Sequence, residues 1–335
     1  MRSISKSRVA LSVVVSVLGL GSVYAAPQTI CVFDPAGASG DSYGLMQDFQ
    51  LASQKWGANV TLKAFKEESE AVQAFKAGQC VGMFVTDLSA RPFNQFVGTL
   101  NAVGAVPNYT VAKQAYHVLV NPKLKAEMTE GSYALAGAVP LGLVYFFSHD
   151  RPVTSLKEMA GKSVGVLASD PLQARLINRI GAKAVPLTVG NFNGLFNAGN
   201  LDMIPAPAMA YRPLELGVGM GPYGAVTRFP LILLSQALII DRTKFSTEFA
   251  AQSRDWMLGQ LPRMLKLAHQ AEADIPANRW VDISADDQLG YQRIMREMRM
   301  NLVKDGTYNN KMARILKRLR CQQQSSGFDC AMPDE

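Results

Sequence analysis

Two stretches of this chain follow the same order of elements, and that repetition restricts the fold more than any other feature. In the first, Thr29-Ile30-Cys31-Val32-Phe33 reads as a strand, and Met46, Phe49, Ala52 and Trp56 recur at helical spacing before Gly57. Val60, Leu62 and Ala64 then alternate as a strand, Ser69 to Ala77 reads as a helix closed by Gly78, and Val81 to Val85 forms a third strand. In the second, Ser163 to Leu167 is a strand, Leu172 to Ile180 a helix ending at Gly181, Ala184 to Leu187 a strand, Phe192 to Asn197 a helix ending at Gly199, and Met203-Ile204 a strand. Wording repeats as well: Phe75-Lys76-Ala77-Gly78 is echoed by Phe196-Asn197-Ala198-Gly199, and Trp56-Gly57-Ala58 by Ile180-Gly181-Ala182.

Alternating strands and helices imply parallel pairing with right-handed crossovers, so two βαβαβ units imply two α/β lobes. Ligands of open sheets sit beyond the carboxyl ends of the strands. The loops Asp34–Tyr43, Thr86–Arg91, Ala168–Leu172 and Pro205–Arg212 should therefore face one cleft. Between the units, Ala134–Val139 and Leu143–Ser148 read as crossing strands broken by Pro140 and Gly142, the place for a hinge. The division expected is lobe 1 over 26–138 and lobe 2 over 139–230. A returning strand at Leu231 to Ile240 and C-terminal helices fill 231–320, and a tail spans 321–335.

Arg2, Lys6 and Arg8 precede the apolar run Val9 to Leu20, and Val23 and Ala25 suit signal cleavage after Ala25. Residues 1–25 are expected to direct export to the periplasm, and Cys31 is too distant from the cut for a lipoprotein anchor. That run, the only long apolar one, is about half of what a bilayer needs, so no membrane insertion is expected. Loss of three cations with the signal lowers the formal charge from +7 to +4, too little to argue for nucleic acid. In an exported chain four cysteines imply disulfides. Cys321 and Cys330 close a polar tail of eight intervening residues, and Cys31 and Cys80 pair by exclusion.

Catalytic constellations are lacking. His117, His149 and His269 are far apart, giving no metal site, and neither a nucleophile elbow nor a phosphate-binding loop occurs. No cofactor is expected, and the chain is read as a monomeric binder and not as an enzyme. Gly217-Val218-Gly219-Met220-Gly221 reads as a flexible loop. Lys311, Arg314, Lys317 and Arg318 lie on a helix face opposite Met312, Ile315, Leu316 and Leu319, which predicts a solvated face. For the cleft, Ser39, Ser42 and the amides of the first helix offer an anion site, with Arg91, Arg175 and Arg212 as added charge. Asp34, Asp41 and Asp87 are acceptors suited to amines or hydroxyls, and each equally suits a helix cap or an interlobe ion pair. Tyr43, Tyr145, Phe146 and Tyr211 are candidate aromatic walls, with core packing the alternative.

The run Arg151-Pro152-Val153-Thr154-Ser155-Leu156-Lys157-Glu158-Met159-Ala160-Gly161-Lys162 resembles the segment that introduces the second lobe in periplasmic solute-binding proteins of TRAP-type transporters. Gly181-Ala182 with Phe196-Asn197-Ala198-Gly199-Asn200-Leu201-Asp202 resembles that family's continuation. The mature chain is more similar still to the AdeT-like solute-binding proteins, through Ile30 to Asp34, Ala206-Pro207-Ala208, Pro213-Leu214-Glu215-Leu216 and the tail cysteines. The resemblance implies a type II-like, two-lobed periplasmic-binding-protein fold of the TRAP solute-receptor type. It also implies capture of a small polar molecule for delivery to membrane transporter subunits or a sensor. An accessory periplasmic part of an efflux system is the alternative. TRAP binders commonly carry, in the strand after this run, an arginine that grips a carboxylate. Here Gly165 stands at that position, so a simple dicarboxylate is expected to bind weakly or not at all, unless Arg91, Arg175 or Arg212 takes over from another wall of the cleft.

Overall fold

The computed structural model describes residues 27–149 and 151–332, so the signal expected at 1–25 lies outside the described residues. Eleven strands join one mixed sheet: β1 Gln28–Phe33, β2 Val60–Phe65, β3 Gly82–Thr86, β4 Thr129–Glu130, β5 Tyr133–Ser148, β6 Ser163–Leu167, β7 Lys183–Leu187, β8 Met203–Pro207, β9 Ala225–Thr227, β10 Ile232–Asp241 and β11 Trp280–Val281. Its main path is β2-β1-β3-β10-β5-β8-β6-β7. Within each repeat the first strand is central and parallel to both neighbours, β2-β1-β3 in one and β7-β6-β8 in the other. Ile30, Cys31 and Val32 are fully buried, which is why β1 reads as an unbroken apolar run with no alternation.

The two expected crossing strands are one strand of sixteen residues, β5. Pro140 and Gly142 interrupt its register without ending it. Opposite β10 the pairing steps from Leu234↔Gly142 to Ser235↔Pro140, leaving Leu141 as a bulge. Proline lacks a ladder donor, and glycine accepts the φ of +132° found at position 142, so the bulge is where both are tolerated. β5 pairs with β10 as far as Val144 and with β8 from Val144 to Ser148. One strand thus belongs to both lobes.

The first helix is α1 Asp41–Gln54. Asp34, just after β1, accepts the amides of Ser42 and Tyr43, and also that of Ala36, so of the cap, ligand and ion-pair roles open to it Asp34 takes the cap, and Asp41 does not. Gly40 is required there: a Cβ on it would lie 1.9 Å from the Asp34 carboxylate. The Gly217–Gly221 segment, expected to be a flexible loop, is a helix, Leu216–Met220. The side chain of Asn197 accepts the Gly219 amide and donates to the Leu214 carbonyl, while a Cβ on Gly219 would meet Phe196 at 2.5 Å. The glycines here permit close packing of two helices.

The C-terminal third is helical, over Thr247–Gly259, Leu261–Asp274, Ala285–Lys304 and Asn310–Gln323. On the last of these Lys311, Arg314 and Arg318 are exposed and Lys317 half-buried, while Met312 and Leu316 are buried. Both disulfides are formed, Cys31–Cys80 between β1 and the entry to β3, and Cys321–Cys330 across the tail. The tail is also held by charge. Asp329 is buried and accepts from Arg299 and Arg320, whose guanidiniums also reach the carbonyls of Val103 and Ala105. Burial acts to raise the Asp329 pKa, but the two arginines outweigh it and hold the carboxyl below its ordinary value. No helix among the described residues is long and apolar enough to cross a membrane.

Candidate functional site

A cavity of about 480 Å3 opens where the carboxyl ends of both βαβαβ units meet the crossing strands. Lobe 1 contributes Phe33 to Ala36, Ser39 to Ser42, Glu68, Thr86 and Leu88. β5 and β10 contribute Leu141, Val144, Phe146, Ile232, Leu234 and Gln236. Lobe 2 contributes the segment after β6, with Leu167, Gln173, Leu176 and Ile177, and the segment from Pro205 to Leu214 along and after β8. The bulge in β5 has a consequence here: it turns Leu141 into the cavity wall.

The polar groups on this wall are mostly engaged. Asp34 accepts three amides, those of Ser42 and Tyr43 at the start of α1 and that of Ala36, and Ser39 donates to the Ala36 carbonyl. Ser42 donates to Gln236 at 2.6 Å, and Gln236 in turn donates to the Phe33 carbonyl, so one glutamine ties β10 to the first loop. Gln173 accepts the Leu167 amide. Glu68, at the start of α2 (Glu68–Lys76), is 5% exposed and accepts the Thr86 amide at 2.6 Å. Burial raises its pKa, against the lowering effect of Thr86 and Ser89. The Thr86 hydroxyl stands close by at 6% exposure, but no hydrogen bond of sound geometry reaches it.

Of the residues singled out from the sequence, Asp34, Ser39, Asp41, Ser42 and Phe146 line the cavity. The others lie away from it. Tyr43 packs against the core beneath α1, and Tyr211 stacks on Phe147. The Tyr145 hydroxyl donates to Glu272, as does that of Tyr109, and the Tyr145 ring meets Trp280 edge-on. Burial and the Glu272 charge raise both tyrosine pKa values. Arg175 pairs with Asp305 and Arg212 with Asp274, both at the surface.

Asp87 is fully buried beside Asn101, Ser235 and Arg91, and desolvation pushes its carboxyl up to about 7 despite those neighbours. Arg91 donates to Asn101 at 2.8 Å, lies over the Tyr308 ring, and reaches Asp170 at 3.4 Å. Asp170 caps the helix Pro171–Arg179 of lobe 2, so this ion pair joins the lobes behind the cavity.

Glu68, Gln173 and Gln236 lie outside the residues and loops expected from the sequence to face the cleft, whereas Thr86 opens one of those loops. A polar pair in the middle of an apolar strand, Ser235-Gln236, was a usable signal for the last of them. Glu68 follows the second strand of its unit, whereas the loops expected to face the cleft follow the first and third.

Gly165 lies within β6, where a Cβ would meet Leu187 at 2.5 Å, Ile204 at 3.0 Å and Leu201 at 3.2 Å. The position is enclosed by apolar side chains. Among the described residues, none that lines the cavity is Lys, Arg or His.

A family model described as solute-binding protein AdeT 1/2 matches residues 49–335. AdeT1 of Acinetobacter baumannii, a solute-binding protein by name, is 40% identical over 304 residues, which cover 91% of this chain and all of that protein. AdeT2 of the same organism is 27% identical over 70% of this chain and 99% of its own length. Among solved structures, a TRAP periplasmic solute-binding protein of Desulfovibrio salexigens with bound orotic acid has a TM-score of 0.71 at 13% identity, covering 88% of this chain and 99% of that one. The periplasmic ectoine-binding protein of the TeaABC TRAP transporter of Halomonas elongata has a TM-score of 0.69 at 12% identity, covering 89% and 99%. The fold is therefore that of the two-lobed TRAP solute receptors.

Proposed function

The chain belongs to the AdeT 1/2 solute-binding protein family, and from that premise we propose that it is a periplasmic receptor. It captures a small molecule between lobes spanning about 26–138 and 139–230 and delivers it to membrane transporter subunits. The observation that carries this reading is the cavity of about 480 Å3 at the carboxyl ends of both repeated units, within the size range of small-molecule sites. The orotic acid and ectoine named for the solved neighbours support a small ligand between the lobes. Such a role calls for no catalytic group. It calls for a site assembled by two bodies on a shared strand, which β5 supplies, so that ligand contacts to both lobes favour closure. The Arg91–Asp170 pair adds a contact across the same gap.

Thermal shift of the mature protein against a metabolite library tests the reading. A ligand at 100 times its dissociation constant adds about 2.7 kcal/mol, a shift of several degrees. A library without a single stabilising compound, together with stable capture of an efflux-system protein, would favour the accessory role instead. Amino-terminal sequencing of the exported protein should begin at Ala26.

A further inference from the structure

The two walls of the cavity differ in kind. Among the described residues, every charged one that lines it, Asp34, Asp41 and Glu68, comes from lobe 1 and is acidic. Lobe 2 faces them with leucine, isoleucine, valine, phenylalanine, proline and methionine side chains, and Gln173 is its sole hydrogen-bonding side chain on the wall. Such a surface favours an apolar body, at roughly 25 cal/mol for each Å2 removed from water. A ligand carboxylate placed here would lose its hydration against Glu68 with no cation on the wall to answer it, which is costly in a confined site. Asp34 already has three amide donors, so it is poorly placed to accept more. Thr86 Oγ1, buried and without a hydrogen bond, and Glu68 beside it remain as acceptors.

We infer that the cleft takes a cationic amphiphile, an organic ammonium whose apolar body lies along Leu176, Ile177, Phe192 and Met209 while its charged head meets Glu68 and Thr86. This rests on the proposed solute-binding role and names its ligand class. An ammonium can donate to the unpartnered Thr86 hydroxyl and to the acceptor sites that Glu68 keeps beside the Thr86 amide, and its charge stabilises ionised Glu68 where burial opposes ionisation. The preference is set by the two walls together: lobe 1 selects the head and lobe 2 the body.

Calorimetric titration with three probes sharing one apolar body, 4-phenylbutylammonium, 4-phenylbutanol and 4-phenylbutanoate, isolates the head group. The ammonium should bind at least about tenfold more tightly than the carboxylate. Glu68→Gln, which keeps the size of the side chain and an acceptor for the Thr86 amide, should weaken the ammonium by about tenfold and leave the alcohol within about twofold. Should Glu68→Gln fail to fold, Leu214→Lys on the facing wall reads the same discrimination, with the order of ammonium and carboxylate reversing. Carboxylate binding equal to or tighter than ammonium overturns the inference, as does an ammonium affinity unmoved by Glu68→Gln. If none of the three binds while succinate or another polar solute does, the ligand class falls and the receptor role stands. If no compound of any class binds, the receptor role falls too.

Discussion

In the first unit the central strand β1 carries Cys31, bonded across to Cys80 at the entry to β3; in the second, the corresponding β6 carries Gly165 and packs against Leu187, Leu201 and Ile204 with no covalent tie. Strand order and helix placement are otherwise shared. The first unit then presents carboxylates and hydroxyls to the cleft, the second a nearly continuous apolar wall. Strand and helix periodicity therefore fixes where a cleft forms, while the residues left free at the strand ends decide what it holds. The two units need not be equally robust, either.

The largest effect should come from cutting the covalent tie. Cys31 and Cys80 are 49 positions apart, and closing a loop of that length removes about 4 kcal/mol of unfolded-state entropy in the chain-entropy account. Replacing both by Ala should lower stability by about 2–4 kcal/mol, with amide exchange faster through β1 to β3 and little changed in β6 to β8. Uniformly faster exchange in both units would show that they unfold together. Replacing Cys321 and Cys330 closes a far shorter loop beside the buried Asp329 pairs, so a smaller loss is expected there.

Next comes the glycine of the second unit. Gly165→Arg restores the residue type of the carboxylate-binding TRAP receptors, yet the side chain would start among Leu187, Leu201 and Ile204. It should cost about 2–3 kcal/mol through overpacking and a buried unpaired charge, with no gain in succinate affinity by calorimetry. A stable variant that binds succinate would mean that this apolar layer yields readily and that one residue converts the wall.

Much of this contrast was legible in the sequence, and the limits are instructive. The repeat, the tail disulfide and the helical C-terminal third follow from local spacing and glycine stops, because each depends on neighbours along the chain, and Cys31–Cys80 then follows by exclusion. The cleft lining depends on register. Whether Leu141 faces solvent or ligand is decided by a bulge set by pairing with β10, nearly a hundred residues away. Asp34 was recognisable as an acceptor, but only the fold shows it accepting the amides of Ala36, Ser42 and Tyr43. Tyr43 and Tyr211 flank the right loops and yet turn into the packing behind them. The Gly217 to Gly221 segment reads as mobile because its glycines are counted without the helix that they allow to approach.

A third prediction concerns Asp87, buried in lobe 1 behind the cleft. Its carboxyl is held up at about 7 against an ordinary value of 3.8, so folding favours its protonated form. That contribution is fully present below about pH 3.8 and is lost as pH rises through about 7, beyond which the fold contains a costly buried charge. Asp87→Asn should thus match wild type near pH 4 and exceed it by about 2 kcal/mol near pH 8, the gap widening by at most about 1.4 kcal/mol per pH unit. Denaturation midpoints at four pH values suffice. A gap that is constant with pH, or that shrinks as pH rises, would show Asp87 ionised throughout by Arg91.

The smallest effects separate cations near the cleft from cations in it. Arg175 and Arg212 were natural candidates for gripping an acidic ligand, since both follow loops that open on the cavity. Each instead pairs at the surface, with Asp305 and Asp274, and more than a third of every one of these side chains is exposed to solvent. Exposed pairs contribute about 0–1 kcal/mol, so Arg175→Ala and Arg212→Ala should each shift stability by less than about 1 kcal/mol and leave affinity for every probe ligand within about twofold. Arg91→Ala differs, because that guanidinium is mostly buried and holds Asp170 across the lobes. It should lower stability by about 2 kcal/mol and weaken all ligands by a similar factor irrespective of charge, as expected for a contact that favours closure and not recognition. Selective loss of carboxylate binding in any of the three variants would place that arginine within reach of the ligand, and with it a cationic wall that the lining of this cleft lacks.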